Sequence, residues 1–121
     1  MKNLLLISQD SNVVDMVSRV AGRSGVELVA PGSPAEATKV IQEESINMIV
    51  LDLVPRAQRL AFLEEIRNTQ GSVPVIALTD WEDQIAGSLA YAKGADETLR
   101  KPLSEHTLER IFQRISSTLE Y

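Results

Sequence analysis

Ile46-Asn47-Met48-Ile49-Val50-Leu51-Asp52 is an apolar run closed by a single carboxylate. A short apolar run bounded by polar residues suits a strand buried on both faces of a sheet. The acid then stands where the strand leaves the sheet. Two other runs end in the same way, Leu4-Leu5-Leu6-Ile7 before Ser8-Gln9-Asp10 and Val75-Ile76-Ala77-Leu78 before Thr79-Asp80. Lys101-Pro102 follows a further, less apolar strand candidate. If these strands are parallel, Asp10, Asp52, Thr79 and Lys101 meet at one edge of one sheet.

The segments between the runs have helical spacing. Val13, Val14, Val17, Val20 and Ala21 mark a first helix, with Gly25 at the place of a C-terminal glycine. Val26 to Ala30 reads as a second strand. Ser33-Pro34-Ala35-Glu36 is a helix start, with a serine cap, proline at the first position and glutamate at the third. Ala37, Val40 and Ile41 form that helix's inner face. Leu60, Leu63 and Ile66 mark a third helix, closed near Gly71. Val73 to Leu78 is the fourth strand. Ile85, Leu89 and Ala92 mark a fourth helix, closed by Gly94. Ala95 to Leu99 is a short edge strand. Pro102 and Ser104 open a last helix with Leu108, Ile111, Phe112, Ile115 and Leu119 inward. Strict alternation of strand and helix predicts a parallel sheet covered by helices on both faces. Ligands of such sheets bind outside the carboxyl ends of the strands, where the strand order reverses. This rule selects the edge already marked by Asp52.

Length and composition set the outer bounds. The 121 residues, 44% hydrophobic and 24% charged, suit one globular domain over residues 1–121. There is no cysteine, which excludes disulfides and thiolate metal sites and fits a reducing compartment. The apolar stretch after Met1-Lys2-Asn3 is too short for a signal peptide, and no run nears the roughly 18 apolar residues of a membrane span. A cytoplasmic location is expected. The net charge of -5 speaks against direct nucleic-acid binding.

These residues resemble the receiver domain of bacterial two-component response regulators over the whole chain. The likeness rests on the strand ending at Asp52 with Pro55 after it, on Val75-Ile76-Ala77-Leu78-Thr79, and on Gly94-Ala95-Asp96-Glu97-Thr98-Leu99-Arg100-Lys101-Pro102. It implies a flavodoxin-like, doubly wound α/β fold, five parallel strands in the order 2-1-3-4-5 with five helices. It implies phosphoryl transfer from a histidine kinase or phosphotransfer protein to Asp52. Thr79 and Lys101 would contact the phosphoryl group. A Mg²⁺ would be held by Asp52, by an acid of the first loop such as Asp10, and by the backbone carbonyl of Val54. No enzymatic activity is implied beyond self-phosphorylation and slow self-dephosphorylation at Asp52. The implied partners are the kinase, an output domain or protein, and a second copy through the last helix, fourth helix and fifth strand. No membrane partner is implied.

The chain departs from that pattern in three places. The family's two adjacent metal-binding acids fall here on Ser8 and Gln9, with Asp10 one residue late and equally suited to capping the first helix. Pro55 follows Asp52 by three residues instead of four, and Gln58-Arg59 replaces an acid and a glycine. Thr98 stands where the family often has a switching aromatic. Neutral Ser8 and Gln9 also favour a direct Asp52–Lys101 ion pair. These departures favour a second reading, a phosphorylation-independent pseudo-receiver acting as a protein-interaction module. A flavin or nucleotide binder on the same fold is a third. It has only Ser8-Gln9-Asp10-Ser11-Asn12 as a phosphate loop, with Asp10 repelling the phosphate.

Other residues have plainer readings. Thr79 is suited to bonding neighbouring backbone. Trp81, the sole tryptophan, is expected to lie partly buried under the fourth helix, or else to anchor a partner together with Tyr91 and Thr98. His106 is expected on the surface. Arg56 and Arg59 are expected to be solvated at the start of the third helix.

Overall fold

The computed structural model describes residues 2–31 and 33–119, with only the helix backbone for 115–119. Its elements alternate without exception: β1 (Lys2–Ile7), α1 (Ser11–Arg23), β2 (Val26–Val29), α2 (Pro34–Glu43), β3 (Met48–Asp52), α3 (Arg56–Thr69), β4 (Val75–Thr79), α4 (Ala86–Ala92), β5 (Glu97–Arg100) and α5 (Glu105–Leu119). All pairings are parallel, and the strand order is β2-β1-β3-β4-β5. The winding therefore reverses at β1 and β3, the place where such sheets bind ligands.

Period-two alternation splits the core. Leu4, Leu6, Met48, Val50, Ile76 and Leu78 face a cluster completed by α1 and α5, with Val17, Val20, Leu108 and Phe112. Leu5, Ile7, Ile49, Leu51, Val75 and Ala77 face the opposite cluster, completed by α2, α3 and α4. Asp52 continues the parity of Met48 and Val50, and Ser8 that of Leu4 and Leu6. Both residues are thus aimed at the α1/α5 face just beyond the apolar core.

The chain's punctuation acts locally. Ser33 accepts from the Glu36 amide at 3.2 Å, and Ser104 from the Thr107 amide at 3.3 Å, each capping a helix. Gly25 and Gly94 have φ of 69° and 111°, conformations that favour glycine.

Several boundaries and faces differ from expectation. β2 ends at Val29, β4 runs from Val75 to Thr79, and β5 begins only at Glu97. On α4, Ile85, Leu89 and Ala92 are exposed, and Ala86 and Ala90 pack inward. Small side chains let this short helix lie close to the sheet, so its larger residues face outward. Arg59 is the sharpest correction: it is 3% exposed. The inward stripe of α3 runs Arg59, Phe62, Leu63, Ile66, a helical i, i+3, i+4, i+7 series, and Arg59 is its first member. Ile115 and Leu119, expected to face inward, lie outside the described side chains.

Candidate functional site

The sheet register assembles the site. Ile7 pairs with Leu51, Asp52 with Leu78, and Thr79 with Arg100. One residue further, Ser8 comes level with Asp52, and Lys101 follows Arg100 onto the same edge. Pairing continues past Asp52, since the Leu53 amide donates to the Leu78 carbonyl at 2.9 Å.

Asp52 is 2% exposed, and its two oxygens are treated differently. Oδ2 accepts from Ser8 Oγ at 2.6 Å and from Lys101 Nζ at 2.9 Å. Oδ1 is buried with no hydrogen-bond partner among the described residues. Lys101 Nζ also reaches Asp10 Oδ2 at 3.3 Å, so one ammonium bridges two carboxylates. Asp10 Oδ1 caps α1 by accepting from the Asn12 amide at 3.0 Å. Ser8 Oγ accepts from the Asp10 amide at 3.1 Å while donating to Asp52, which closes the ring of contacts.

The charges are tuned accordingly. Burial opposes the Lys101 charge, but the bond to Asp52, its charge and the bond to Asp10 prevail and hold the ammonium above its usual 10.5. Burial likewise pushes the Asp10 carboxyl up, but the Lys101 bond and the Asn12 amide prevail and hold it below its usual 3.8.

Thr79 is buried at the end of β4, and its hydroxyl donates to the Leu99 carbonyl at 3.5 Å, a weak cross-strand bond. Gln9 and the Val54 side chain are exposed. The peptides before Pro55 and Pro102 are both cis. Arg56 leaves the α3 start to bond Asp83 at 2.8 Å, tying the β3–α3 loop to the segment before α4.

The sequence profile of the response regulator receiver domain matches residues 4–113. The chain belongs to that family. Among curated relatives, the receiver is 25% identical over 104 residues to the alkaline phosphatase synthesis transcriptional regulatory protein PhoP of Bacillus subtilis, covering 85% of this chain and 43% of that protein. It is 29% identical over 109 residues to the CpxR homolog of Haemophilus influenzae, covering 89% of this chain and 47% of the relative. The chain thus spans a little under half the length of these relatives. A two-component response regulator from Clostridium difficile shares the fold, with a TM-score of 0.87, 18% identity and full coverage of both chains.

The family's Mg²⁺ does not fit the donors as this receiver arranges them. Among the described residues no group of three or more acidic or histidine side chains gathers to hold a metal. Ser8 and Lys101 both engage the same oxygen of Asp52, and Asp10 is committed to the helix cap and to Lys101. Asp10, expected as a metal ligand, is the second anion on Lys101.

Of the residues read as a partner surface, Tyr91 lies on α4, Thr98 on β5 and Trp81 in the loop between β4 and α4. Trp81 is 60% exposed, which corrects the expectation of partial burial. Its carbonyl accepts from Arg100 Nη2 at 2.9 Å, so the backbone is held while the ring stays in solvent. A Cβ on Gly87 would lie 3.6 Å from Thr98 Oγ1, which places the α4 backbone against Thr98. Tyr91, one helical turn beyond Gly87, is exposed, as is His106.

Two features escaped the sequence reading. Ser8 was legible as a lost acid but not as a donor to Asp52, which follows only from the Ile7–Leu51 register. The burial of Arg59 could have been found from the helical phase of Phe62, Leu63 and Ile66. Its charge argued the other way.

Proposed function

We propose that residues 1–121 act as one cytoplasmic receiver-like domain in two-component signalling, with Asp52 as phosphoacceptor. The observation that carries this reading is the asymmetry of Asp52. Oδ2 is clamped by Ser8 and Lys101, and Oδ1 has no partner. A carboxylate held by one oxygen and free at the other is oriented for nucleophilic attack. In the transfer, Oδ1 forms a bond to the phosphorus of a phosphohistidine, the P–N bond breaks, and its electron pair leaves with the imidazole. The Lys101 ammonium offsets the charge gathering on the phosphoryl oxygens. The Thr79 hydroxyl exchanges its weak bond to Leu99 for one to the phosphoryl group. Chemistry beyond self-phosphorylation and its slow reversal is not part of this role. The phosphoryl donor is a histidine kinase or phosphotransfer protein. The output is a linked domain or separate protein, or a second copy docking on the face with Trp81, Tyr91 and Thr98.

A second reading is favoured by the neutral Ser8 and by the burial of Asp52 behind Lys101. In it the domain is a pseudo-receiver whose surface acts without phosphorylation. Incubation with a small phosphodonor, followed by intact mass, separates the two. The phosphoacceptor reading expects one phosphoryl adduct that Asp52→Asn abolishes. An unmodified chain, with and without Mg²⁺, leaves the pseudo-receiver.

A further inference from the structure

A divalent cation is drawn to a receiver edge where several carboxylates repel one another. Mg²⁺ also sheds its waters reluctantly and demands near-octahedral oxygen ligands. The edge of this chain meets neither condition. The carboxylates paired with Lys101 are Asp10 and Asp52, with Nζ between them at 3.3 and 2.9 Å, while Asp80 lines the same groove. This three-group cluster carries one net negative charge, which a dication held within it would overturn to positive. Where the resemblance calls for an acid, Ser8 supplies a hydroxyl that donates to Asp52 at 2.6 Å. A donor so placed cannot coordinate a metal with the same geometry, and with Lys101 it takes up Asp52 Oδ2, leaving Oδ1 as the one oxygen of that carboxylate without a partner among the described residues. Lys101 is only 15% exposed in its side chain and is held from both sides, so it is not a loose counterion that Mg²⁺ readily displaces.

We propose that the Asp52 site is neutralised from within the chain, by Lys101 and the Ser8 hydroxyl, and does not recruit Mg²⁺. Ser8 is the residue that decides this. The inference takes the Asp52 edge as the receiver's site but is independent of whether Asp52 accepts a phosphoryl group.

Mg²⁺ binding is measured by calorimetry and by Trp81 emission. Trp81 lines the same groove as Asp10 and Lys101, so its indole reports on that edge. Wild-type protein is expected to give no saturable heat or emission change at millimolar Mg²⁺. Ser8→Asp restores a carboxylate beside Asp52 and is expected to bind Mg²⁺ about tenfold or more tightly than wild type. Adding Asp52→Asn should remove that gain. Gln9→Asp, at an exposed position, serves as the second acid variant if Ser8→Asp fails to fold. Saturable wild-type binding that Asp52→Asn abolishes would overturn the proposal. So would a folded Ser8→Asp variant with no gain. Because the readout is binding of Mg²⁺ alone, neither result depends on phosphorylation.

Discussion

Replacing Lys101 by methionine removes the cation paired with Asp52 and keeps most of the side-chain volume. Asp52 is 2% exposed and the Lys101 side chain 15%, so the pair is largely desolvated. Removing one partner of a buried ion pair costs about 3–5 kcal/mol, because the other charge is left uncompensated. The low end applies, since the Ser8 hydroxyl still donates to Asp52 Oδ2. The Asp10 arm adds little: its side chain is 35% exposed, and pairs open to solvent contribute under about 1 kcal/mol. The expected loss is therefore about 3 kcal/mol, or a fall in Tm of about 12 °C for a domain of this size. Urea unfolding followed by far-UV circular dichroism measures it, with an unchanged denaturant slope showing that the folded state is intact. Asp52→Asn provides the decisive control. In its background Lys101→Met should cost about 1 kcal/mol or less, because no buried charge is left behind. A loss under 1 kcal/mol in wild type, or an equal loss in both backgrounds, would refute the claim that Lys101 compensates Asp52.

The opposite sign is expected for Arg59→Met: Nε and Nη1 are buried without partners among the described residues, so an apolar chain of similar length should stabilise the domain by about 1–3 kcal/mol, seen as a higher urea midpoint. Gly94→Ala should destabilise by about 2 kcal/mol, since φ is 111° and the added Cβ would sit 2.6 Å from Arg67 Cγ, in a side chain held by the Gly94 and Val73 carbonyls. The pH profile of Tm should be flat in the contribution of the Asp10–Lys101 pair between the two usual values of 3.8 and 10.5. Asp10 is held low, so its contribution is present above 3.8 and lost as pH falls through the lower folded value; Lys101 is held high, so its contribution is full below 10.5 and lost as pH rises past the higher folded value. Asp10→Asn should remove the acid limb of this contribution.

Much of the fold was legible because each strand and most helices carry their own periodicity. Leu4 to Ile7 and Met48 to Leu51 are apolar on both faces, and Ser33-Pro34-Ala35-Glu36 caps its helix with residues at most three apart. Where local signals were weak, the expectation slipped. On α4 the large residues Ile85 and Leu89 looked like an inner face, but Ala86 and Ala90 allow the closer approach to the sheet. Trp81 looked like a residue to be covered, yet only its backbone is tied down, through Arg100.

Local pattern was enough for the alternation of strand and helix, and with it for the edge at which Asp10, Asp52, Thr79 and Lys101 converge. Strand ends are local features, and parallel strands in one sheet bring their carboxyl ends to one side. What those residues do to one another follows from the packed fold. Ser8 meets Asp52 across 44 positions, and Lys101 reaches Asp52 across 49 and Asp10 across 91. Contacts of that span depend on register between strands and on the phase of each helix, and a shift of one residue would turn Ser8 to the other face. The same packing buried Arg59 against its charge. It also converted a site legible as a receiver aspartate lacking its acids into a closed ring of hydroxyl, ammonium and two carboxylates.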